Sequence, residues 1–131
     1  MAYEIPTSYL TLNAPSTAFS AKQYYAVVAS SSEGIFAAAT TAANVSIIGI
    51  LQSAPSVTGE PCQIVTAGVT KIKASEALTV GARFAVGSSG TAASTNDIAA
   101  RTGIWGTVLE TAASSEIVTV NFGFIGLASS S

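Results

Sequence analysis

Short apolar runs alternate with turn-forming residues along most of the chain. From Gln23 onward, segments rich in Val, Ile, Ala and aromatic residues follow one another, with Ser, Thr, Gly, Asn and Pro between them. Their spacing of roughly 8–12 residues is typical of β-strands joined by tight turns. No segment keeps a 3.6-residue apolar period over a dozen positions, as an amphipathic helix would. The pattern predicts a mainly β protein, a compact β-barrel or β-sandwich of short antiparallel strands.

The predicted strands are Gln23–Ala29, Gly34–Ala39, Val45–Gln52, Cys62–Ala74, Arg83–Val86, Gly103–Glu110 and Glu116–Gly126. We expect Cys62–Ala74 to be a hairpin that turns at Ala67-Gly68, and TAASS to be the loop of a second hairpin. Gly49 inside its strand predicts a bulge or a close backbone approach. GSSGTAASTND is predicted to be a loop. The Ala-rich pieces IFAAATTAAN and DIAAR leave a helical alternative open.

The two ends of the chain lack a clean period. Residues 1–22 carry two Pro and many Ser and Thr, which predicts an extended N-terminal arm that orders on a partner surface and whose removal leaves the core folded. The alternative is a first strand near Tyr9–Leu12. The β domain would then span residues 23–126, and residues 127–131 form a disordered tail. The N-terminus has no signal-peptide pattern, so we expect synthesis in the cytoplasm.

Four of the twelve charged side chains lie between Gly68 and Val86. Strand alternation directs Lys71 and Lys73 to one face and Ile72 to the buried face. Two interpretations remain open for the lysines: a solvated sheet face, or an electrostatic contact with an acidic partner.

Composition narrows the function classes. Hydrophobic residues make up 49% of the 131 residues, but charged residues only 9%, against about 25% in an ordinary globular chain. Such a neutral surface is poorly protected against association, so we expect other protein to cover much of it. Five scattered basic residues and a net charge of −2 argue against nucleic-acid binding. A polybasic membrane segment is also absent from the sequence.

Catalytic chemistry is not expected. The sequence contains no His and one Cys, so His-based triads cannot form in one chain. The acidic residues lie far apart in sequence, and no motif suggests a metal, a cofactor or a phosphate loop. Cys62 is predicted to be a buried, inert thiol. Trp105 is expected in the core or at an interface, and Tyr24 and Tyr25 on opposite faces of a strand. The candidate interface residues are apolar or aromatic: Tyr3, Ile5, Tyr9, Leu10, Leu12, Phe19, Tyr24 and Trp105.

Three blocks between Gly49 and Phe122 carry a family likeness. They are GILQSAPSVTGEPCQIVTAGVTKIKA, LTVGARFAVGSSGTAAS and GIWGTVLETAASSEIVTVNF. Together they resemble the small phage head decoration proteins, also called capsid cement proteins. The resemblance implies a β-barrel or β-sandwich that assembles as a homotrimer at three-fold positions of an icosahedral head. The implied partners are the major capsid protein and further copies of the chain on the virion surface, and no catalytic residue is implied. The alternative is a phage fibre, tail or surface adhesin domain that binds a host glycan.

Overall fold

The computed structural model describes residues 8–38, 47–87, 90–94 and 103–127. Within these ranges the chain forms a nine-stranded antiparallel sheet and one short 3₁₀ helix, Thr17–Ala21. The mainly β class predicted from the sequence is therefore confirmed. The strands are β1 (Ser8–Asn13), β2 (Ala26–Ala29), β3 (Phe36–Ala38), β4 (Ile47–Leu51), β5 (Pro61–Lys73), β6 (Arg83–Val86), β7 (Ala92–Ser94), β8 (Gly103–Val108) and β9 (Ile117–Leu127).

The sheet curls until distant strands meet. Its order is β3-β2-β4-β5-β9-β8-β6-β7, and β1 also pairs with β5. The amide of Ala26 in β2 donates to the carbonyl of Gly90, next to β7, at 2.8 Å. Ala74, just after β5, forms a parallel bridge with Ala92 of β7. These contacts satisfy backbone groups that an open edge would expose, and they enclose an apolar interior.

Strand β5 runs without a turn over 13 residues, so the predicted hairpin at Ala67-Gly68 is wrong. Gly68, with φ +121°, marks a change of partner rather than a reversal. Up to Ala67 the strand pairs with β1 and β4, and from Gly68 to Lys73 it pairs with β9. Continuous ladders satisfy the backbone on both sides of Gly68, so the chain has no need to fold back there.

Two apolar clusters lie on opposite sides of β2 and β4. The larger fills the interior of the curl and includes Ile50, Ile72 and Trp105. The smaller lies beneath β1 and the 3₁₀ helix and includes Phe19 and Leu51. A strand buried on both faces reads as an unbroken apolar run. The runs AVVA and IIGIL of β2 and β4 have this form for that reason.

The N-terminal segment from Ser8 to Lys22 packs on its own chain. Strand β1 pairs with β5 from Ser8↔Ala67 to Asn13↔Pro61. The alternative of a first strand near Tyr9–Leu12 is thus what the structure contains, and this part of the predicted arm finds its partner surface within the chain. An extended arm stays a prediction for residues 1–7, which lie outside the described residues. Leu127 belongs to β9, and the rest of the predicted tail lies outside them as well.

Several other predicted strands, loops and turns can be compared with the structure. Strand β7 lies inside the segment predicted to be a loop and forms a hairpin with β6. The helical alternative for IFAAATTAAN is wrong over Phe36–Ala38, which is β3, while DIAAR lies outside the described residues. The loop TAASS does join the antiparallel pair β8 and β9. Gly49 confirms the predicted close approach, because a Cβ there would overlap the carbonyl oxygen of Val65.

Candidate interaction surface

Strands β5, β9, β8 and β6 present an outer face opposite the large apolar cluster. Directly opposed residues of antiparallel strands point to the same side of a sheet. One such row crosses all four strands through the pairs Arg83↔Thr107, Thr107↔Asn121 and Asn121↔Val69. With strands about 4.8 Å apart, the row is roughly 14 Å wide between its outermost Cα atoms.

Two further rows complete this surface. The pair Lys71↔Thr119 lies next to exposed Leu109, whose amide donates to the carbonyl of Thr119 at 2.9 Å. The pair Lys73↔Ile117 follows, and Ile117 is 40% exposed. We call this surface the cationic face, defined by Val69, Lys71, Lys73, Arg83, Thr107, Leu109, Ile117, Thr119 and Asn121. It holds three of the five Lys and Arg residues of the chain.

The buried side of the same strands explains why these residues face outward. Ile72, Phe84, Val108, Val118 and Val120 are all fully buried in the large cluster. Their neighbours along each strand must point the other way because side chains alternate. The prediction that Lys71 and Lys73 face outward while Ile72 is buried is therefore confirmed.

Glu110 lies at the edge of the cationic face. Its Oε1 accepts hydrogen bonds from the Thr119 hydroxyl at 2.8 Å and from the Thr119 amide at 3.0 Å. These two bonds, with a smaller attraction to the Lys71 ammonium, lower the pKa of Glu110 from its ordinary value. With three cations against this one carboxylate, the face carries a net charge of about +2 at neutral pH. The whole chain, in contrast, has a formal charge of −2.

The structure spreads the predicted interface residues over different environments. In β1, Tyr9 is 57% exposed, whereas Leu10 and Leu12 are half-buried against the small cluster. Phe19 is buried, with its ring edge-on to Phe36 at 4.9 Å between centroids. These residues therefore do not form one exposed patch, and the Phe19 side chain packs against Phe36 of the same chain. Tyr3 and Ile5 lie outside the described residues.

Trp105 belongs to the core. It is 7% exposed and its ring stacks on that of Phe122, with 5.7 Å between centroids. Of the two expectations for Trp105, the core position is the one that the structure shows.

Tyr24 and Tyr25 precede β2 rather than lying in it, so the predicted opposite-facing strand pair is wrong. Both are half-buried. Tyr24 has φ +70°, a conformation that no residue pattern in this segment signals. Its amide donates to the carbonyl of Leu51 at 2.7 Å, and its carbonyl accepts from the amide of Lys73 at 2.9 Å. Tyr24 thereby links β4 to the end of β5.

Reactive groups are few in the described part of the chain. Cys62 is buried, as predicted, and its Sγ lies 3.4 Å from the carbonyl oxygen of Glu60. Burial, and to a smaller extent the Glu60 carboxylate, raises the pKa of the Cys62 thiol, which keeps it in the unreactive neutral form. The described residues contain no cluster of three or more possible metal ligands. No helix among them is long and apolar enough to cross a membrane.

No protein-family model matches the chain, and no curated protein matches its sequence. Among solved structures, it is similar to the N base of the head fiber protein gp8.5 of bacteriophage phi29. The two have a TM-score of 0.54 and 20% sequence identity, and the match covers 90% of this chain and 95% of the other. At this identity the likeness establishes a shared fold, and it extends over nearly all of both chains.

Proposed function

We propose that this chain is a structural protein of a bacteriophage head, a decoration protein that binds the outer surface of an icosahedral shell and stabilises it. The observation that carries the proposal is the fold likeness to the base of a phage head fiber over 90% of this chain. The three sequence blocks that resemble head decoration proteins lead independently to the same class. The proposal includes no catalytic role.

The surface chemistry supports a role in assembly. Only 9% of the residues are charged, so most of the outer surface can be covered by another protein without desolvating ions. Many copies on a regular shell can each bind modestly, because contacts that span neighbouring subunits act multivalently. We propose the major capsid protein as the partner and a homotrimer as the assembly, since three-fold symmetry would give each copy an equivalent contact.

A second candidate function is a phage fibre, tail or surface adhesin domain that binds a host glycan. The solved structure to which this chain is similar is itself a fiber base, which favours this alternative as much as it favours a cement protein. An adhesin that binds a glycan would need exposed aromatic rings, and Tyr9 offers one in β1. The two candidates differ in whether the isolated β domain binds the shell or a host glycan.

Co-sedimentation with purified heads that lack this protein tests the proposal. The protein is added over a concentration series, heads are pelleted, and bound copies per head are counted. A decoration protein is expected to saturate at a fixed number of copies, and light scattering of the free protein is expected to give a concentration-independent trimer. Absence of binding to heads, with binding on a glycan array, would instead support the adhesin alternative.

A further inference from the structure

We infer that the cationic face is the surface that contacts the head, and that its partner is an acidic patch of the shell protein. This inference rests on the proposed function and adds which side of the molecule faces inward. Three observations support it: the positive charge of the face, the absence of ion pairs at its cations within the described residues, and the covering of another part of the outer surface by β1 and the 3₁₀ helix.

The cations of this face are available to a partner. Within the part of the chain that the structure describes, no ion pair forms at Lys71, Lys73 or Arg83. The Lys71 ammonium has a weak electrostatic attraction to the Glu110 carboxylate. The fourth described cation, Lys22, is different, because its Nζ lies 4.8 Å from the centre of the Tyr25 ring. Free cations grouped on one face of an acidic protein attract an anionic surface and exclude a cationic one.

The neutral residues between the cations suit a protein partner. Thr107, Thr119 and Asn121 offer hydroxyl and amide groups, while Leu109 and Ile117 are 43% and 40% exposed. Apolar side chains among polar groups that carry no charge resemble the mixture found in protein interfaces. Four of them project from paired strands and Leu109 directly follows β8, so docking would require little ordering of the chain.

The chain itself covers another part of the outer surface of the sheet. There, the 3₁₀ helix and β1 lie over the small apolar cluster of β2, β4 and the first half of β5. A second copy docked face to face on the cationic face would place like charges together, which is unfavourable. An anionic patch of a different protein therefore fits this surface better than a face-to-face dimer of this chain does.

The inference is tested with a triple variant, Lys71→Ala, Lys73→Ala and Arg83→Ala, which removes three positive charges. Its matched control is Thr11→Glu, Ser32→Glu and Thr58→Glu, which makes the same charge change at exposed positions away from the face. Thermal unfolding of both variants verifies the fold. Each is titrated onto purified heads between 50 and 300 mM salt, alongside the wild type.

The triple variant is expected to bind heads at least tenfold more weakly than the wild type and to lose most of the salt dependence. The control is expected to bind within about twofold. Equal binding by the triple variant, or a selective loss in the control, overturns the inference and leaves the proposed function standing. A wild type that binds duplex DNA but not heads overturns both and assigns the face to nucleic acid.

Discussion

Gly106 allows β8 to pass very close to β9 beside Trp105. Its φ is +152°, and a Cβ added there would overlap the carbonyl oxygen of Asn121 and lie 2.9 Å from the Phe84 ring. The register between β8 and β9 shifts just before it, between Ile104 and Gly106. The absence of a side chain thus lets two backbones approach closely next to the stacked rings of Trp105 and Phe122.

The substitution Gly106→Ala is therefore expected to lower the free energy of unfolding by roughly 3 kcal/mol, since it combines backbone strain with overpacking. Gly123→Ala is the matched control, because a Cβ at Gly123 meets no atom within 4 Å. Urea denaturation of the two variants measures the difference. Equal stability of the two variants would contradict this account of the close approach.

Glu110 gives the fold a defined response to acid. Its pKa is lower in the folded chain than its ordinary value of 4.5, because the Thr119 hydroxyl and amide donate to the carboxylate. A lowered pKa stabilises the fold above the ordinary value, and that contribution is lost as the pH falls through the folded value. We expect the stability of the wild type to fall below about pH 4.5 more steeply than that of Glu110→Gln.

Chemical denaturation at a series of pH values between 7 and 3 measures this difference. Glu33→Gln is a suitable control, because Glu33 is also exposed and takes no part in the Glu110–Thr119 contact. Parallel stability curves for the wild type and Glu110→Gln over this range would show that the contact does not form in solution.

At the level of elements, the N-terminal segment is part of the fold. Phe19 in the 3₁₀ helix is buried against Phe36, and Ala14 is buried in the same cluster. The sequence predicted an arm because residues 1–22 lack a regular period. The period is absent since one short strand, a Pro-containing bend and a helix of five residues follow each other too closely to establish one.

Removing Phe19 should consequently weaken the fold. We expect Phe19→Ala to lower the free energy of unfolding by roughly 3 kcal/mol, and Ser20→Ala, at an exposed position of the same helix, to change it by less than about 0.5 kcal/mol. Removing residues 1–22 should destabilise the domain further, in contrast to the sequence-based expectation of a dispensable arm. Thermal unfolding measures all three variants. If the truncated chain were as stable as the full one, the prediction that the arm is dispensable for folding would hold.

Strand β5 shows why element boundaries were harder to predict than element type. Its apolar and polar alternation at Thr70, Lys71 and Ile72 correctly identified the buried side. The Ala67-Gly68 pair predicts a turn, since glycine with positive φ is common in turns. The same conformation also occurs where a long strand changes partners, and which one forms depends on β1, β4 and β9, far away in sequence.

For the molecule as a whole, the sequence predicted the mainly β class, the outward lysines and the buried Cys62. It did not reveal that Arg83 joins Lys71 and Lys73 on one face. Arg83 reaches that face through Thr107 and Asn121, in two other strands. Charges that meet only through sheet register leave no local signal. Of the predicted interface aromatics within the described residues, Phe19 and Trp105 are instead core residues.

Imaging of heads tests the central claim most directly. Purified heads without this protein are saturated with it, and cryo-electron microscopy compares the decorated and bare shells. We expect added density on the outer surface at three-fold-related positions, into which the chain fits with its cationic face toward the shell. Decorated and bare shells that are identical at saturating protein would contradict the assignment of this chain to the surface of a phage head.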